Sequence, residues 1–195
     1  MTGVVLCGGA STRMGHDKGT RNLNSGTWAQ HGARLFEELD LPYAISVSEK
    51  QLPVYEALFP IEKIICDREL AVYGPLKGIV SVHQQLPEED LIVLACDMPG
   101  MQTLILEQLL RLYEQQPDYD CYLFATNGFM QPLCAIYRAP RLQTLLKEIE
   151  AGLLEKHSMM HFVEASTALI VEAEQNMLGF FDNFNTLDDL HRFGK

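Results

Sequence analysis

An apolar run near the amino terminus leads into two glycines and then two basic residues. The stretch "VVLCGGASTRMGHDKG" spans residues 4–19. Gly8 and Gly9 allow a sharp turn and a close approach of the backbone to a ligand, because neither has a Cβ atom. Backbone amides in such a loop can bind phosphate oxygens, and Arg13 and Lys18 add positive charge. The stretch predicts a phosphate-binding loop, and a plain glycine turn with solvated basic residues is the alternative.

The spacing of the glycines excludes two common nucleotide-binding motifs. Neither the G-x-G-x-x-G fingerprint of dinucleotide-binding proteins nor the G-x-x-x-x-G-K-[ST] sequence of P-loops occurs in this stretch. The meaning of the Gly-Gly pair therefore depends on which other polar residues lie beside it.

Two aspartates each follow an apolar run and a cysteine. Asp67 follows "IIC" and Asp97 follows "LAC". If both runs are parallel strands, the two carboxylates lie at the same edge of the sheet, where ligands of α/β proteins bind. Mg²⁺ prefers oxygen ligands and is commonly held by one or two carboxylates together with nucleotide phosphates. Each aspartate alone could be an ordinary strand-end or capping residue, but together with the Gly-Gly loop they predict a nucleotide–metal site.

A third motif, "YGPLKGI" at residues 73–79, breaks the chain before a helix predicted to begin near Leu76. A helix N-terminus with glycines nearby can approach a base, a ribose or a phosphate. The alternative is an ordinary loop that ends at a helix.

The elements that must position these residues alternate along the chain. Short apolar runs predict strands at Gly3–Cys7, Tyr43–Val47, Lys63–Cys66, Leu91–Cys96 and Asp120–Phe124. Segments with helical spacing lie between them, at Trp28–Leu39, Leu76–Gln85 and Thr103–Tyr113. This alternation predicts βαβ units on a parallel sheet. Continuous apolar strands fit a sheet that helices cover on both faces.

The order of elements changes after Phe124. "QPLCAIYR" predicts another strand, "RLQTLLKEIEAG" predicts a helix, and a late strand is expected around Ala168–Ala173. The closing "NTLDDLHRF" predicts a final helix, because Asn185 or Thr186 can cap its N-terminus and acidic residues occupy its first turn.

Length, composition and charge limit the classes of protein. The 195 residues, 47% hydrophobic and 21% charged, predict a single globular domain over residues 1–195. A net charge of −11 argues against a nucleic-acid-binding or anionic-membrane surface. No apolar stretch approaches the ~20 residues of a membrane helix, and the N-terminal run lacks the features of a signal peptide. We therefore expect a cytoplasmic protein.

The five cysteines are scattered, with no C-x-x-C pair. This pattern favours small buried residues on strands in a reducing compartment over a metal or redox site.

The motifs, taken in order, resemble one family. "LCGGASTRMGHDK" is similar to the signature of the molybdenum cofactor guanylyltransferases, the MobA-like enzymes, and the resemblance continues through "CDRELAVYGPLKGI", "CDMPGM", "QPLCAIYR" and "NFNTLDDL". It covers nearly the whole chain, and the ordered set of motifs is more specific than any one of them.

The resemblance implies a three-layer α/β fold of the nucleotide-diphosphosugar-transferase type, Rossmann-like, with a mostly parallel sheet that contains an antiparallel strand. It implies Mg²⁺-dependent transfer of GMP from GTP to molybdopterin, which forms molybdopterin guanine dinucleotide and pyrophosphate. GTP and molybdopterin are the implied substrates. Transient contacts with molybdenum-insertion proteins and acceptor molybdoenzymes are also implied.

The resemblance also assigns roles to residues at matching positions. The residues expected to bind the nucleotide are Leu6, Cys7, Gly8, Gly9, Lys18, Ser46, Asp67 and Asp97. Among these, Lys18 neutralises phosphate charge, Asp67 binds the guanosine and Asp97 coordinates Mg²⁺. Arg13 acts with Lys18 and Asp97 during transfer. Asn183 and Asn185 belong to the region that receives the pterin phosphate.

Two segments depart from the family pattern. The second strand ends "ISVSEK" where the family often has an asparagine, so Ser46 or Ser48 takes its place. The basic stretch of the family that faces the pterin corresponds to "AGLLEKHSMM", in which Lys156 supplies charge.

Two rival functions remain open. Cytidylyl transfer to molybdopterin, or nucleotidyl transfer to a sugar or isoprenoid phosphate, would use the same chemistry. "CGG" favours guanine, because cytidylyl relatives tend to have Ala-Ala-Gly at this point. A non-catalytic nucleotide-binding or cofactor-handling module is the second rival, and the presence of Lys18 and Asp97 favours an enzyme.

Overall fold

The computed structural model describes residues 1–8, 17–23 and 26–184. The predicted final helix from Asn185 or Thr186 lies outside these residues, and so does part of the predicted domain. In the described part of the chain, no helix has both the length and the apolar character needed to cross a membrane.

A mixed sheet of seven strands forms the centre of the described structure. Its strands are β1 (Thr2–Leu6), β4 (Tyr43–Val47), β5 (Ile64–Cys66), β6 (Leu91–Ala95), β7 (Cys121–Thr126), β8 (Phe129–Tyr137) and β9 (Ala168–Glu172). Two short strands, β2 (Asn22–Leu23) and β3 (Gly26–Thr27), form a separate antiparallel pair. The strand order across the main sheet is β5-β4-β1-β6-β8-β7-β9.

The direction of the strands matches the predicted mostly parallel sheet. β5, β4, β1 and β6 pair in parallel, β8 runs antiparallel to both β6 and β7, and β9 pairs in parallel with β7. β8 reverses because only Asn127 and Gly128 separate it from β7, and both have positive φ angles, of 52° and 79°. A two-residue turn of this kind joins adjacent antiparallel strands.

Helices cover both faces of the sheet. The helices are α1 (Trp28–Glu38), α2 (Leu52–Tyr55), α3 (Pro75–Gln85), α4 (Thr103–Gln115), α5 (Ala139–Glu150) and α6 (Met159–Glu164). Buried residues of α1 and α4 pack on one face of the sheet, and those of α3, α5 and α6 pack on the other. Successive strand residues point to opposite faces: Val4 lies in one core cluster and Val5 in the other. The predicted three-layer α/β fold is confirmed.

The N-termini of α1 and α3 follow local sequence signals. Thr27 caps α1, with its hydroxyl group accepting a hydrogen bond from Gln30 N and the Gln30 side chain accepting one from Thr27 N. α3 begins with Pro75 directly after Gly74, whose φ angle of 64° is strained for residues with a Cβ atom. The break predicted at "YGP" therefore lies at the N-terminus of α3.

Candidate nucleotide-binding site

The carboxyl ends of four parallel strands bring the predicted site residues to one edge of the sheet. Cys7 and Gly8 follow β1, Ser46 lies near the end of β4, Asp67 follows β5 and Asp97 lies two residues after β6. Backbone hydrogen bonds extend the ladder past the strand ends: Cys7 N and Gly8 N donate to Ser46 O, at 2.9 and 3.1 Å. The loop after β1 and the two aspartates were predicted at one edge, and the structure places Gly8, Asp67 and Asp97 there.

Lys18 and Asp97 form an ion pair at this edge. Lys18 Nζ lies 2.9 Å from Asp97 Oδ2, and the two side chains are only 22% and 20% exposed. A cation and a carboxylate thus meet where the ends of β1 and β6 adjoin. A cation at this point can neutralise phosphate charge, and a carboxylate can bind a hard metal ion.

Asp67 lies in a tightly packed part of the same edge. The fully buried Ser46 donates a hydrogen bond from Oγ to Asp67 Oδ1, at 3.3 Å. Burial raises the pKa of the Asp67 carboxyl group above its ordinary value, while the Ser46 hydrogen bond and the charge of Lys77 oppose this shift. Asp67 is therefore a partly desolvated hydrogen-bond acceptor with one oriented donor.

Two glycines allow this packing. A Cβ atom on Gly8 would lie 3.0 Å from Asp67 Oδ2. A Cβ atom on Gly78, in α3, would lie 2.6 Å from Ser46 Oγ and 3.1 Å from Leu6 Cδ2. The absence of side chains at these positions lets the end of β1 and the first turns of α3 approach Asp67 and Ser46 closely.

The first residues of the predicted loop are largely buried. Leu6 and Cys7 are 7% and 5% exposed. Their side chains pack in the core, so a bound nucleotide would meet mainly the backbone here. Gly8 is half-buried. Gly9 and Arg13, also predicted to bind or act on the nucleotide, lie outside the described residues.

The structure describes part of the region predicted to receive the pterin phosphate, which contains Asn183 and Asn185. Phe184 N donates a hydrogen bond to Asp97 O, at 3.0 Å, so the exposed Asn183 lies on a segment that contacts the end of β6. Asn185, the second predicted acceptor residue, lies outside the described residues.

A second segment reaches this edge through a ring contact. The ring of Tyr73, which is 70% exposed, lies 5.1 Å from the ring of His157, measured between centroids. Tyr73 directly precedes Gly74 and the start of α3, and His157 follows Lys156. The stretch predicted to supply charge to the acceptor is therefore adjacent to the loop between β5 and α3.

Sequence reasoning missed three polar residues behind the edge: Asp17, Gln51 and Tyr55. Gln51 Nε2 donates to Cys7 O at 2.8 Å and to Asp17 Oδ2 at 2.6 Å, while Tyr55 Oη donates to Asp17 Oδ1 at 3.0 Å. The pattern Ser48-x-x-Gln51 is a capping-box sequence and was the available signal. It indicates a local turn but not the contacts with distant residues.

The donor set suits a metal that is shared with a nucleotide. Among the described residues, no three His, Cys, Asp or Glu side chains form a group that could hold a metal ion by themselves. Asp97 offers carboxylate oxygens at the edge, and Mg²⁺ typically takes one or two carboxylates and completes its shell with phosphates and water. The position and chemistry of Asp97 therefore suit the role predicted for it, which is to coordinate the Mg²⁺ of a magnesium nucleotide.

Comparison with known proteins decides the family. The family model for the MobA-like NTP transferase domain matches residues 3–169. The chain belongs to this family. The match includes Asp67, Asp97 and Lys18, but not Asn183.

Several relatives of this MobA-like chain carry related names. It is 31% identical over 77% of its length to the molybdenum cofactor biosynthesis bifunctional protein of Synechocystis, and it spans only 43% of that protein. It is 26% identical to the molybdenum cofactor guanylyltransferase of Campylobacter jejuni, with 97% of this chain and 93% of that protein aligned. Its fold matches the crystal structure of molybdopterin-guanine dinucleotide biosynthesis protein A from Archaeoglobus fulgidus, with a TM-score of 0.78 at 23% identity over 98% and 96% of the two chains.

Proposed function

We propose that this protein transfers GMP from GTP to the terminal phosphate of molybdopterin and releases pyrophosphate. The family membership and the names of full-length relatives support a nucleotidyltransferase of molybdenum cofactor synthesis. The observation that carries the proposal is the Lys18–Asp97 pair at the edge where Asp67 also lies.

The proposed reaction needs no side-chain base. A phosphate oxygen of molybdopterin is already ionised at neutral pH, and it attacks the α-phosphorus of GTP. The bond from this phosphorus to the bridging oxygen of the β-phosphate breaks, and pyrophosphate leaves with the electron pair. Positioning and charge neutralisation therefore supply most of the rate acceleration.

The residues of the edge have separate roles in this proposal. Lys18 binds the phosphates and stabilises the charge that develops on the leaving pyrophosphate. Asp97 holds Mg²⁺, which when bound supplies further positive charge to the phosphate oxygens. Arg13 is proposed to add charge during transfer.

Asp67 is proposed to read the guanine base. The Watson–Crick edge of guanine presents N–H donors, and a carboxylate has only acceptors when ionised. Ser46 donates to one oxygen of Asp67 and so orients the carboxylate. Cytosine presents an acceptor nitrogen and carbonyl beside its amino group, so the same carboxylate would meet a less favourable pattern.

The acceptor is proposed to lie against the segments that carry Asn183 and Lys156. The Phe184–Asp97 hydrogen bond and the Tyr73–His157 ring contact link these segments to the nucleotide side of the edge. An amide and an ammonium group provide donors for the terminal phosphate of the acceptor.

An assay with four nucleotides tests the proposal. Purified protein is incubated with molybdopterin, Mg²⁺ and GTP, CTP, ATP or UTP, and both pyrophosphate release and the dinucleotide mass are measured. We expect a product with GTP, none when EDTA replaces Mg²⁺, and undiminished product from an exposed remote control, Asp118→Asn. Product with CTP but not GTP would favour cytidylyl transfer, and nucleotide binding without turnover would favour a cofactor-handling module.

A further inference from the structure

Cys7 directly follows β1, and one amide group bridges Cys7 and Asp17. Gln51 Nε2 donates to Cys7 O at 2.8 Å and to Asp17 Oδ2 at 2.6 Å. Gln51 lies in the turn after β4, 44 positions from Cys7 and 34 from Asp17. A third segment therefore joins both ends of the stretch between residues 8 and 17.

Ser48 fixes the orientation of this amide. Ser48 N and Ser48 Oγ both donate to Gln51 Oε1, at 2.8 and 2.6 Å. An amide has one acceptor oxygen and one donor nitrogen with two hydrogens. Ser48 N can only donate, and Cys7 O and the ionised Asp17 carboxylate can only accept, so a flipped amide would lose these three hydrogen bonds.

Tyr55 holds the other oxygen of Asp17. Tyr55 Oη donates to Asp17 Oδ1 at 3.0 Å, and Gly19 N donates to the same oxygen at 2.9 Å. Tyr55 is fully buried, and burial raises the pKa of its phenol, so the hydroxyl group stays protonated and remains a donor. Its ring stacks on Phe59 with centroids 6.2 Å apart.

The two anchored residues adjoin two residues of the nucleotide site. Gly8 follows Cys7, and Lys18 follows Asp17. Lys18 begins a short 3-10 turn that Asp17 caps, and its ammonium group reaches Asp97. Holding Asp17 in place therefore also holds the backbone of Lys18, from which its side chain extends to Asp97, at a defined position relative to the end of β1.

We infer that Gln51 and Tyr55 are positioning residues for nucleotide binding, which hold Asp17 against the end of β1 and so set Lys18 opposite Asp97. This inference rests on the proposed role of the edge in binding a nucleoside triphosphate. Neither residue needs to touch the nucleotide, because each acts through Asp17.

Two substitutions of Gln51 separate positioning from packing. Gln51→Glu keeps the shape of the side chain and the acceptor for Ser48, but it removes both donors and places a negative charge against Asp17. Gln51→Leu removes the donors without adding charge. If Gln51 acts through its hydrogen bond to Asp17, Gln51→Glu loses more nucleotide affinity than Gln51→Leu, because it adds a repelling charge. If Gln51 acts only through packing, Gln51→Glu loses less affinity than Gln51→Leu, because it has nearly the same shape as the wild-type residue.

The measurement is the Kd of the magnesium nucleoside triphosphate that wild type binds most tightly among GTP, CTP, ATP and UTP. We expect a rise of about 10- to 100-fold for Gln51→Glu, because the charge-assisted hydrogen bond to Asp17 is replaced by repulsion, and a smaller rise for Gln51→Leu. Tyr55→Phe keeps the ring and is expected to raise the Kd less than Gln51→Glu. The KM for the acceptor is expected to stay near its wild-type value. The urea midpoint of Gln51→Glu is expected to fall, because the lost hydrogen bonds also hold the folded chain, so the Kd is measured without urea on protein shown to be folded.

Gln115→Glu is the matched control, because Gln115 is exposed at the end of α4 and gains the same charge. The inference is overturned if Gln51→Glu binds as wild type does, or if its loss of affinity is matched by the control. It is also overturned if the defect is only a lower fraction of folded protein with an unchanged Kd. Preference of wild type for a triphosphate other than GTP would contradict the proposed function alone, whereas no triphosphate binding by wild type would overturn both.

Discussion

Lys18 Nζ and Asp97 Oδ2 lie 2.9 Å apart, although 79 positions separate the two residues in the chain. The two side chains are only 22% and 20% exposed, and a largely buried ion pair is weak evidence for stability, because the cost of desolvating both charges can exceed their attraction. Its position at the joined ends of β1 and β6 instead indicates a role toward a ligand. If Lys18 and Asp97 contact the same bound phosphates, their contributions to catalysis are expected to depend on each other.

Substitution of Lys18 and Asp97 tests this dependence. We expect Lys18→Ala and Asp97→Asn each to lower kcat/KM for GTP about 100-fold or more, since each removes charge stabilisation of the transition state. The double variant is expected to lose little beyond the worse single variant, because residues of one unit are not additive. Steady-state pyrophosphate release measures all three.

Glu107→Gln is the control for these variants, because it removes the carboxylate of another ion pair, with Arg111, on the exposed face of α4. Full activity of this control and loss in the site variants would support the assignment. Multiplicative losses in the double variant would contradict a shared function of Lys18 and Asp97.

Asp67 is expected to lower the free energy of unfolding of the protein, although it contributes to nucleotide binding. Its raised pKa means that the folded protein disfavours the ionised carboxylate relative to the unfolded chain. This cost is absent below the unfolded pKa, grows as the pH rises through the folded pKa, and is complete above it. Asp67→Asn removes the cost but keeps an acceptor for Ser46.

We therefore expect Asp67→Asn to unfold at a higher urea concentration than wild type at pH 7.5, with the difference shrinking at pH 4.5. Its affinity for GTP is expected to fall about 10- to 100-fold, because hydrogen bonds to a charged acceptor are lost. A variant that is less stable than wild type at pH 7.5 would show that the burial cost is not dominant.

Gly78 tests the close approach of α3 to the edge. In Gly78→Ala the new Cβ atom would lie 2.6 Å from Ser46 Oγ, so either Ser46 leaves Asp67 or α3 shifts. Overpacking of this kind costs about 1–3 kcal/mol. We expect a lower urea midpoint together with a higher Kd for GTP.

Gly179→Ala is the matched control for Gly78→Ala, because a Cβ atom on Gly179 would meet nothing within 4 Å. Calorimetric or fluorescence titration with GTP compares the two variants. Equal affinity in both would mean that the Ser46–Asp67 arrangement tolerates the displacement.

The position of the site at the carboxyl edge of the sheet could be predicted from the sequence, because parallel strands all end at that edge. Each strand end that follows an apolar run must lie at the same side of a parallel sheet, so Asp67 and Asp97 could be placed together from their positions alone. The predicted boundaries of β4 were confirmed at both ends, Tyr43 and Val47. Continuous apolar runs carry this information, and the run before Asp67 is only the three residues of β5.

The remaining features depend on contacts that no local pattern encodes. α2 has four residues and includes Pro53, and β2 and β3 have two residues each, so none is long enough to show a period. α6, at Met159–Glu164, has only six residues and was also missed. Gln51 pairs with residues 34 and 44 positions away, and such pairing becomes visible only when the chain is folded.

The acceptor side can be tested separately from the nucleotide side through Asn183 and Lys156. Asn183→Ala and Lys156→Ala are expected to raise the KM for molybdopterin about 10-fold each, since each removes a hydrogen bond to a charged phosphate, while the Kd for GTP stays unchanged. Lys147→Ala, which removes a cation from the last turn of α5, is the control. Initial rates at varied molybdopterin and saturating GTP measure the effect. A raised Kd for GTP in Asn183→Ala, with an unchanged acceptor KM, would instead assign that residue to the nucleotide through its proximity to Asp97.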